Sequence, residues 1–579
     1  MRGRLLHHRP GPRHRRRPRR RRARGVTAEC AGVRLPTGGR TGSARPAISC
    51  TAILLVLLIL PTSVTGSGVA LPHIRRDTGA SLDALQWVVH GYNLTFASFM
   101  LACGSLADRF GRRRVFIGGA VLFTVASLVS AATSDILLLD VMRGLAGVGA
   151  AALLTSGSAI LATSFDGAAR TRAFAAVGIV TGGGLAMGAM AAGTLADALG
   201  WRWFFGLHAL LMLLVLLAVP FLPESRGAVT ARVDSVGTAT FVTSLFLLML
   251  GVVEGPRWGW GSAGVVGLLA GSVVLMVAFV LVERRARHPM LDLRLLRNAE
   301  FMALCLIPVV VSFSFVILLP LLPNYLVAAN GASSKTAGAT MLLMTLPILV
   351  TPLLAAKLIR WGLTTRHVLG LSLVCLTGGV TWLAAVLQAG MSLTALSGPL
   401  ITLGVGLGLN FGLIDGAALT VVAPEATGTA AGLLNVLRLG SEAIAIAVVG
   451  TVLVDLVQGS LGDGLGGFPA YRGGAGELAD SVNAGDLTGP LSEVPADIRP
   501  EFSDFVTSGL TGAWQTVLWA SAAICAVLSV LIYVMLAGPR RGQSRAAAGA
   551  EPRRDHRAPH PAGRVGSGPR PAAERTPEP

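Results

Sequence analysis

The chain has 579 residues, 52% of them hydrophobic and only 14% charged, a balance too apolar for a soluble protein and far beyond one membrane anchor. Its formal net charge of +19 resides in the ends: residues 1–47 carry 15 arginines against one acid, and residues 539–579 carry nine against four. The body between them is formally neutral, which argues against a nucleic-acid partner. Cys30, Cys50, Cys103, Cys305, Cys375 and Cys525 show no paired spacing, so neither a disulfide framework nor a metal site is expected. No nucleotide-binding glycine loop or nucleophile elbow occurs, and no polar segment is large enough for a catalytic domain. An enzyme and a bound cofactor are therefore not expected, and an ion gradient is left to drive any work.

Residues 1–47 are rich in Arg, Gly and Pro and cannot form a core. They are read as a disordered cytoplasmic arm, either an upstream start-site artefact or a topogenic, acidic-lipid-binding tail; RNA binding ranks behind both. A helix needs about 20 apolar residues to cross hydrocarbon. By that criterion fourteen spans are expected, at about 48–68, 87–107, 115–133, 137–161, 172–194, 203–222, 237–254, 263–282, 301–327, 336–357, 367–388, 393–419, 427–457 and 511–536. An even number puts both basic tails on the cytoplasmic side. Arg170 with Arg172, Arg284, Arg285 and Arg287, and Arg360 with Arg366 then fall on that side too, while Arg75 and Arg76 fall outside. Residues 47–72 have the look of a secretory signal, but are kept as a span. Between 459 and 509 runs the single long outer loop, Gly-rich and acidic, read as a solvated insertion.

Between the second and third spans lies a short basic turn, Gly104-Ser-Leu-Ala-Asp108-Arg109-Phe-Gly111-Arg112-Arg113-Arg114. Arg beside a span marks the cytoplasmic face. The turn resembles the signature loop of the major facilitator superfamily, matching at Gly104, Asp108, Arg109, Gly111, Arg112, Arg113 and Arg114. The resemblance implies gating: a carboxylate paired with arginines latches one conformation and releases it in another. A fainter echo, Lys357-Leu-Ile-Arg360-Trp-Gly362-Leu-Thr-Thr-Arg366, follows the tenth span, as expected of a duplicated bundle.

Arg143 lies inside the fourth span, where a charge is functional by default; it resembles the family's fourth-helix arginine, linked to proton coupling. The fifth span resembles the antiporter motif of the drug-efflux branches at Gly184, Gly188 and Gly193, although Ala189 and Ala192 stand for its proline and a glycine. Val69-Ala70-Leu71-Pro72 resembles the end of the first helix in the fourteen-span drug:proton branch. Ser63 and Gly68, however, occupy the positions of that branch's Asp and Asn, which puts its coupling mechanism in doubt. Asp415 in the twelfth span, and Arg438 with Glu442 on one face of the thirteenth, are candidates to replace that Asp. His90 and His208 could also titrate near neutrality.

The expectation is thus an all-α polytopic membrane protein of the major facilitator fold, with fourteen transmembrane helices. Residues 48–222 would form the first six-helix bundle, 223–300 two inserted helices with their loops, 301–538 the second bundle, and 539–579 a disordered basic cytoplasmic tail. It is expected in the plasma membrane as a monomer, contacting membrane lipids and exporting a lipophilic drug-like compound or self-made metabolite in exchange for protons. A proton-independent uniporter or importer on the same fold is the alternative, and a non-transporting sensor or scaffold stands behind it.

Overall fold

The computed structural model describes residues 44–165, 167–224, 234–286, 291, 295–423 and 426–537. Arg287, both terminal tails beyond these limits and parts of the loops around the inserted helices lie outside the described residues. Every regular element described is helical. In chain order they are α1 (Ala44–Thr78), α2 (Leu82–Phe110), α3 (Arg112–Ala132), α4 (Ile136–Ser164), α5 (Gly167–Ala198), α6 (Trp201–Ala218), α7 (Ser235–Trp258), α8 (Ala263–Arg285), α9 (Ala299–Val311), α10 (Leu318–Asn330), α11 (Ser334–Arg360), α12 (Thr365–Val386), α13 (Leu393–Asn410), α14 (Leu413–Ala418), α15 (Thr427–Gly462), α16 (Ala475–Asn483), α17 (Thr488–Glu493) and α18 (Arg499–Ala537).

Twelve described helical segments are long and apolar enough to cross a membrane, or thirteen if the bent pair 169–185 and 190–198 within α5 counts as one. Each of the fourteen expected spans coincides with a helix. The one outside that count is α2, whose 29 residues include the polar His90, Tyr92 and Asn93. Two expected spans are interrupted. A π-helical turn at Ser312–Val316 separates α9 from α10, after Pro308 has removed a backbone donor within α9. Phe411 and Gly412 separate α13 from α14. Gly412 adopts φ +78°, and a side chain there would strike the Phe174 carbonyl of α5, so both backbone conformation and space call for glycine.

Helices α1 to α6 pack on one another, as do α9 to α15 and α18. The two sets meet along two seams, α2 against α15 and α5 against α11 and α14. Helices α7 and α8 pack together and lean on α2 and α15 through α7. Only 17% of the most apolar stretch of α8 is buried. Val266, Val273, Val274, Val277 and Leu281 on it are exposed. A helix apolar all round yet uncovered by protein is matched to lipid.

The acidic segment after α15 is not solvated throughout. Leu478, Ala479, Val482 and Val494 are buried, and Phe468 stacks on Phe502 and Phe505 of α18. Asn324 of α10 donates to the Asn483 carbonyl at 3.0 Å. Short helices and glycines hid this small cap in the sequence, because its apolar residues complete a core supplied by α15 and α18. Burial, with Glu493 and Glu477 close by, raises the pKa of the Tyr471 hydroxyl in this cap.

Candidate functional site

The signature turn closes one seam. Gly104 of α2 lies so close to Gly428 of α15 that a Cβ on either would strike the other's carbonyl oxygen, and Gly432 meets Met100 in the same way. This proximity brings Asp108, which is 7% exposed, to the N-terminal end of α15. Its carboxylate accepts the backbone N–H of Gly428 at 3.0 Å and of Thr429 at 2.8 Å, with the Thr429 hydroxyl at 3.3 Å. A helix N-terminus has unpaired donors and a positive dipole end, so a carboxylate is favoured there. Arg112, 1% exposed, donates Nε and Nη2 to Asp108 at 3.3 and 3.0 Å. It also donates to Thr163 of α4 at 3.3 Å and to the Thr427 hydroxyl at the start of α15. One carboxylate and one guanidinium thus join four helices, α2, α3, α4 and α15, across the seam.

The other loop residues are placed differently. Arg109 is near enough to Asp234, just before α7, and Glu283, near the end of α8, for both acids to act on it electrostatically. Asp234 also caps α7 by accepting the Gly237 N–H at 2.7 Å. Sequence reasoning missed both acids, although an Asp directly before an apolar run is an N-cap signal. Gly111 forms the turn between α2 and α3; Arg113 is half-buried and Arg114 exposed.

Four helices converge on Arg143, which is 2% exposed. It donates Nε to the Val88 carbonyl at 3.0 Å, Nη1 to the Ser63 hydroxyl at 3.0 Å and Nη2 to the Ser63 carbonyl at 3.4 Å. Its guanidinium lies over the rings of Tyr92, at 4.4 Å, and Phe205, at 5.5 Å. All these partners are neutral. Ser63, singled out as the replacement for an acid, is therefore the residue that this arginine meets. Asp140 lies about one turn away on α4 and makes no ion pair with Arg143; its buried Oδ1 has no hydrogen-bond partner among the described residues. His208 of α6 donates from Nδ1 to the Phe204 carbonyl at 2.7 Å, leaving Nε2 3.0 Å from the Thr62 hydroxyl. His90 is half-buried on α2, apart from this network.

In the second half the expected Arg438–Glu442 pair is not formed. Arg438 of α15 instead pairs with Asp415 of α14, donating from Nη2 to Oδ1 and Oδ2 at 3.1 and 3.0 Å, and donates from Nη1 to Asn435 Oδ1 at 2.9 Å. The break at Gly412 turns Asp415 toward α15, so the arginine reaches it across the helix gap in preference to a residue on its own helix. Glu442 is half-buried and has no hydrogen-bond or ion-pair partner among the described residues. It stands 15 residues into α15, which at about 1.5 Å per residue is near mid-span.

The glycines of α5 have separate tasks. A Cβ on Gly184 would meet the Leu58 carbonyl, and one on Gly188 would meet Thr62 and Thr65, all on α1. Gly193 has ordinary room, with Val69 at 3.6 Å. Gly178 and Gly182 face Phe411 and Ile348 across the second seam.

A family model described as Major Facilitator Superfamily matches residues 53–446. The puromycin resistance protein pur8 of Streptomyces alboniger is 33% identical over 78% of this chain and 92% of its own. The probable actinorhodin transporter of Streptomyces coelicolor is 31% identical over 68% of this chain and 70% of its own. Among solved structures, the human organic anion transporter MFSD10 superposes with a TM-score of 0.54 at 15% identity, covering 85% of this chain and 99% of that one, a likeness of fold alone.

Proposed function

Because the chain belongs to the major facilitator superfamily, we propose that this multi-pass membrane transporter exports lipophilic drug-like compounds or a self-made metabolite across the plasma membrane in exchange for protons. Support for the substrate class comes from relatives named for puromycin resistance and for actinorhodin transport. The observation that carries the coupling is Glu442, a carboxylate inside a spanning helix without an ion-pair partner among the described residues. A change of conformation that alters the surroundings of this carboxylate, or its distance from Arg438, would move a proton.

In this reading helices α1 to α6 and α9 to α18 form two bundles of six spans each, α7 and α8 are an inserted pair, and both termini are cytoplasmic. The bundles rock about a central site. Asp108 and Arg112, seated on the start of α15, hold the cytoplasmic mouth shut; breaking those contacts opens it. Arg143, His208 and His90 line the first half of the path, and Asp415 with Arg438 the second. The glycines at 184 and 188 let α5 slide closely on α1. The test is substrate-driven proton movement in proteoliposomes holding the protein or Glu442→Gln, with a panel of lipophilic cations and neutral drugs. Proton movement in the parent that disappears in the variant is expected. Substrate flux without proton movement in either protein would mean facilitated diffusion.

A further inference from the structure

The inserted helices α7 and α8 form one stiff hairpin. The Ser244 hydroxyl donates to the Ser272 carbonyl at 2.8 Å, the Phe241 and Phe279 rings lie 5.0 Å apart, and a Cβ on Gly251 would lie 3.0 Å from Leu269. Close packing along its length leaves little freedom between the two helices. Because α8 faces lipid, the hairpin bears on the bundles mainly through α7.

Its two ends are held by different helix sets. In the turn between α7 and α8 the Trp260 ring covers Gly255, where a Cβ would lie 2.8 Å from it, and the indole Nε1 donates to the Thr451 hydroxyl of α15 at 2.8 Å. Midway along α7, Met249 lies 3.8 Å from where a Cβ on Gly440 of α15 would be. Two attachments to one helix fix the direction of the hairpin along α15. Thr451 stands 24 residues beyond Thr427, about 36 Å along the helix axis, so the hairpin reaches from its turn back toward the signature turn. There Asp234 and Glu283 both border Gly237: a Cβ on it would lie 2.5 Å from Asp234 Oδ2 and 2.9 Å from Glu283 Oε1. Glu283 is buried, and Asp234 Oδ2 is buried without a hydrogen-bond partner among the described residues. Two buried carboxylates side by side call for a cation, and Arg109 at the end of α2 is near enough for both to act on it. That arginine belongs to the first helix set and both acids to the hairpin.

We propose that the α7–α8 hairpin is a clasp on the gate: anchored to α15 by Met249 and Trp260, it grips the α2 end of the signature turn through Arg109 and keeps the α2–α15 seam shut. The clasp acts beside the Asp108 contacts and rests on the gate reading of that residue. Its ties act in series. A clasp free at either end grips nothing, so losing the second tie after the first changes nothing more. Independent contacts this far apart would instead have additive free energies.

The test is amide hydrogen exchange of the full chain in lipid nanodiscs, read at the first turn of α15, where Asp108 holds the Gly428 and Thr429 N–H groups across the seam. Asp234→Asn keeps a side-chain oxygen to cap α7 but removes the charge, and Thr451→Val removes the acceptor of Trp260. Each should raise exchange about fivefold, the worth of one hydrogen bond. The double variant should also show about fivefold, not the roughly twenty-five-fold of independent contacts. Trp260→Phe should reproduce Thr451→Val, and Val274→Ala on the exposed face of α8 should change nothing. Unchanged exchange in Asp234→Asn and Thr451→Val, a double variant that multiplies their effects, or a rise shared by α12, which lies off the seam, overturns the clasp. Asp108→Asn tests the gate by itself. A rise there with none in the tie variants sinks the clasp alone, while rises in the tie variants with none there leave the seam to the hairpin and sink the gate reading of Asp108.

Discussion

Arg143 and Arg438 are guanidiniums deep in spanning helices, one in each half, and they are held in opposite ways. Arg143 is enclosed by a serine, two backbone carbonyls and aromatic faces; Arg438 is locked to the Asp415 carboxylate by two hydrogen bonds. Arg143 therefore has no ion-pair partner among the described residues, and dipoles and ring quadrupoles stabilise it. The second half carries a neutral pair with the additional carboxylate of Glu442 beside it. Two bundles with matching helix packing thus differ in how a buried guanidinium is balanced. On the proposed coupling, Glu442 rather than Asp415 is the candidate carrier, because Asp415 is already paired with Arg438 while Glu442 has no ion-pair partner among the described residues.

The largest test of this contrast is Arg438→Met. Removing one partner strands the buried Asp415 carboxylate, which in protein interiors costs about 3–5 kcal/mol. Thermal unfolding in detergent should fall steeply, and Asp415→Asn in the same chain should restore most of the loss. A lone Arg438→Met that unfolds like the parent would show that the pair contributes little. Arg143→Met should have a smaller effect, about 1–3 kcal/mol, because it frees acceptors rather than a charge. Transport should suffer more than stability. If instead Arg143→Met proves as destabilising as Arg438→Met, the two arginines are not held differently in any way that matters.

Much of this contrast was visible before the structure. Long apolar runs marked the helices, and the spacing Gly104, Asp108, Arg109, Gly111 marked the turn that closes the first seam. Arg143, Asp415, Arg438 and Glu442 were found because ionisable residues inside spans are conspicuous. Their partners were not found. Helical spacing put Arg438 with Glu442, since four residues separate neighbours on one face, but the backbone break at Gly412 brings Asp415 within reach, and no periodicity reports a break of that kind. Likewise, the meeting of Asp108 with Gly428 and of Arg109 with Asp234 and Glu283 joins residues far apart in the chain. The acidic loop was underestimated for a related reason: Leu478 and Val482 of α16 are apolar at positions that make sense only against α15 and α10, on which α16 packs.

The finest test gives the first half what the second already has. Ser63→Asp places a carboxylate at the position whose hydroxyl accepts from Arg143 Nη1 at 3.0 Å, in a site where the residue is 1% exposed. Desolvating the new charge opposes folding and pairing it with the guanidinium favours folding, so the net change in stability should be about 1 kcal/mol or less in either direction. The informative readout is transport rather than unfolding. A carboxylate facing Arg143 adds a second group whose protonation the conformational change can alter, so the pH profile of transport should gain a step that Ser63→Asn, of nearly the same shape, does not produce. An unaltered profile in a stably folded Ser63→Asp would place Arg143 outside the proton path and leave the coupling to the second half alone.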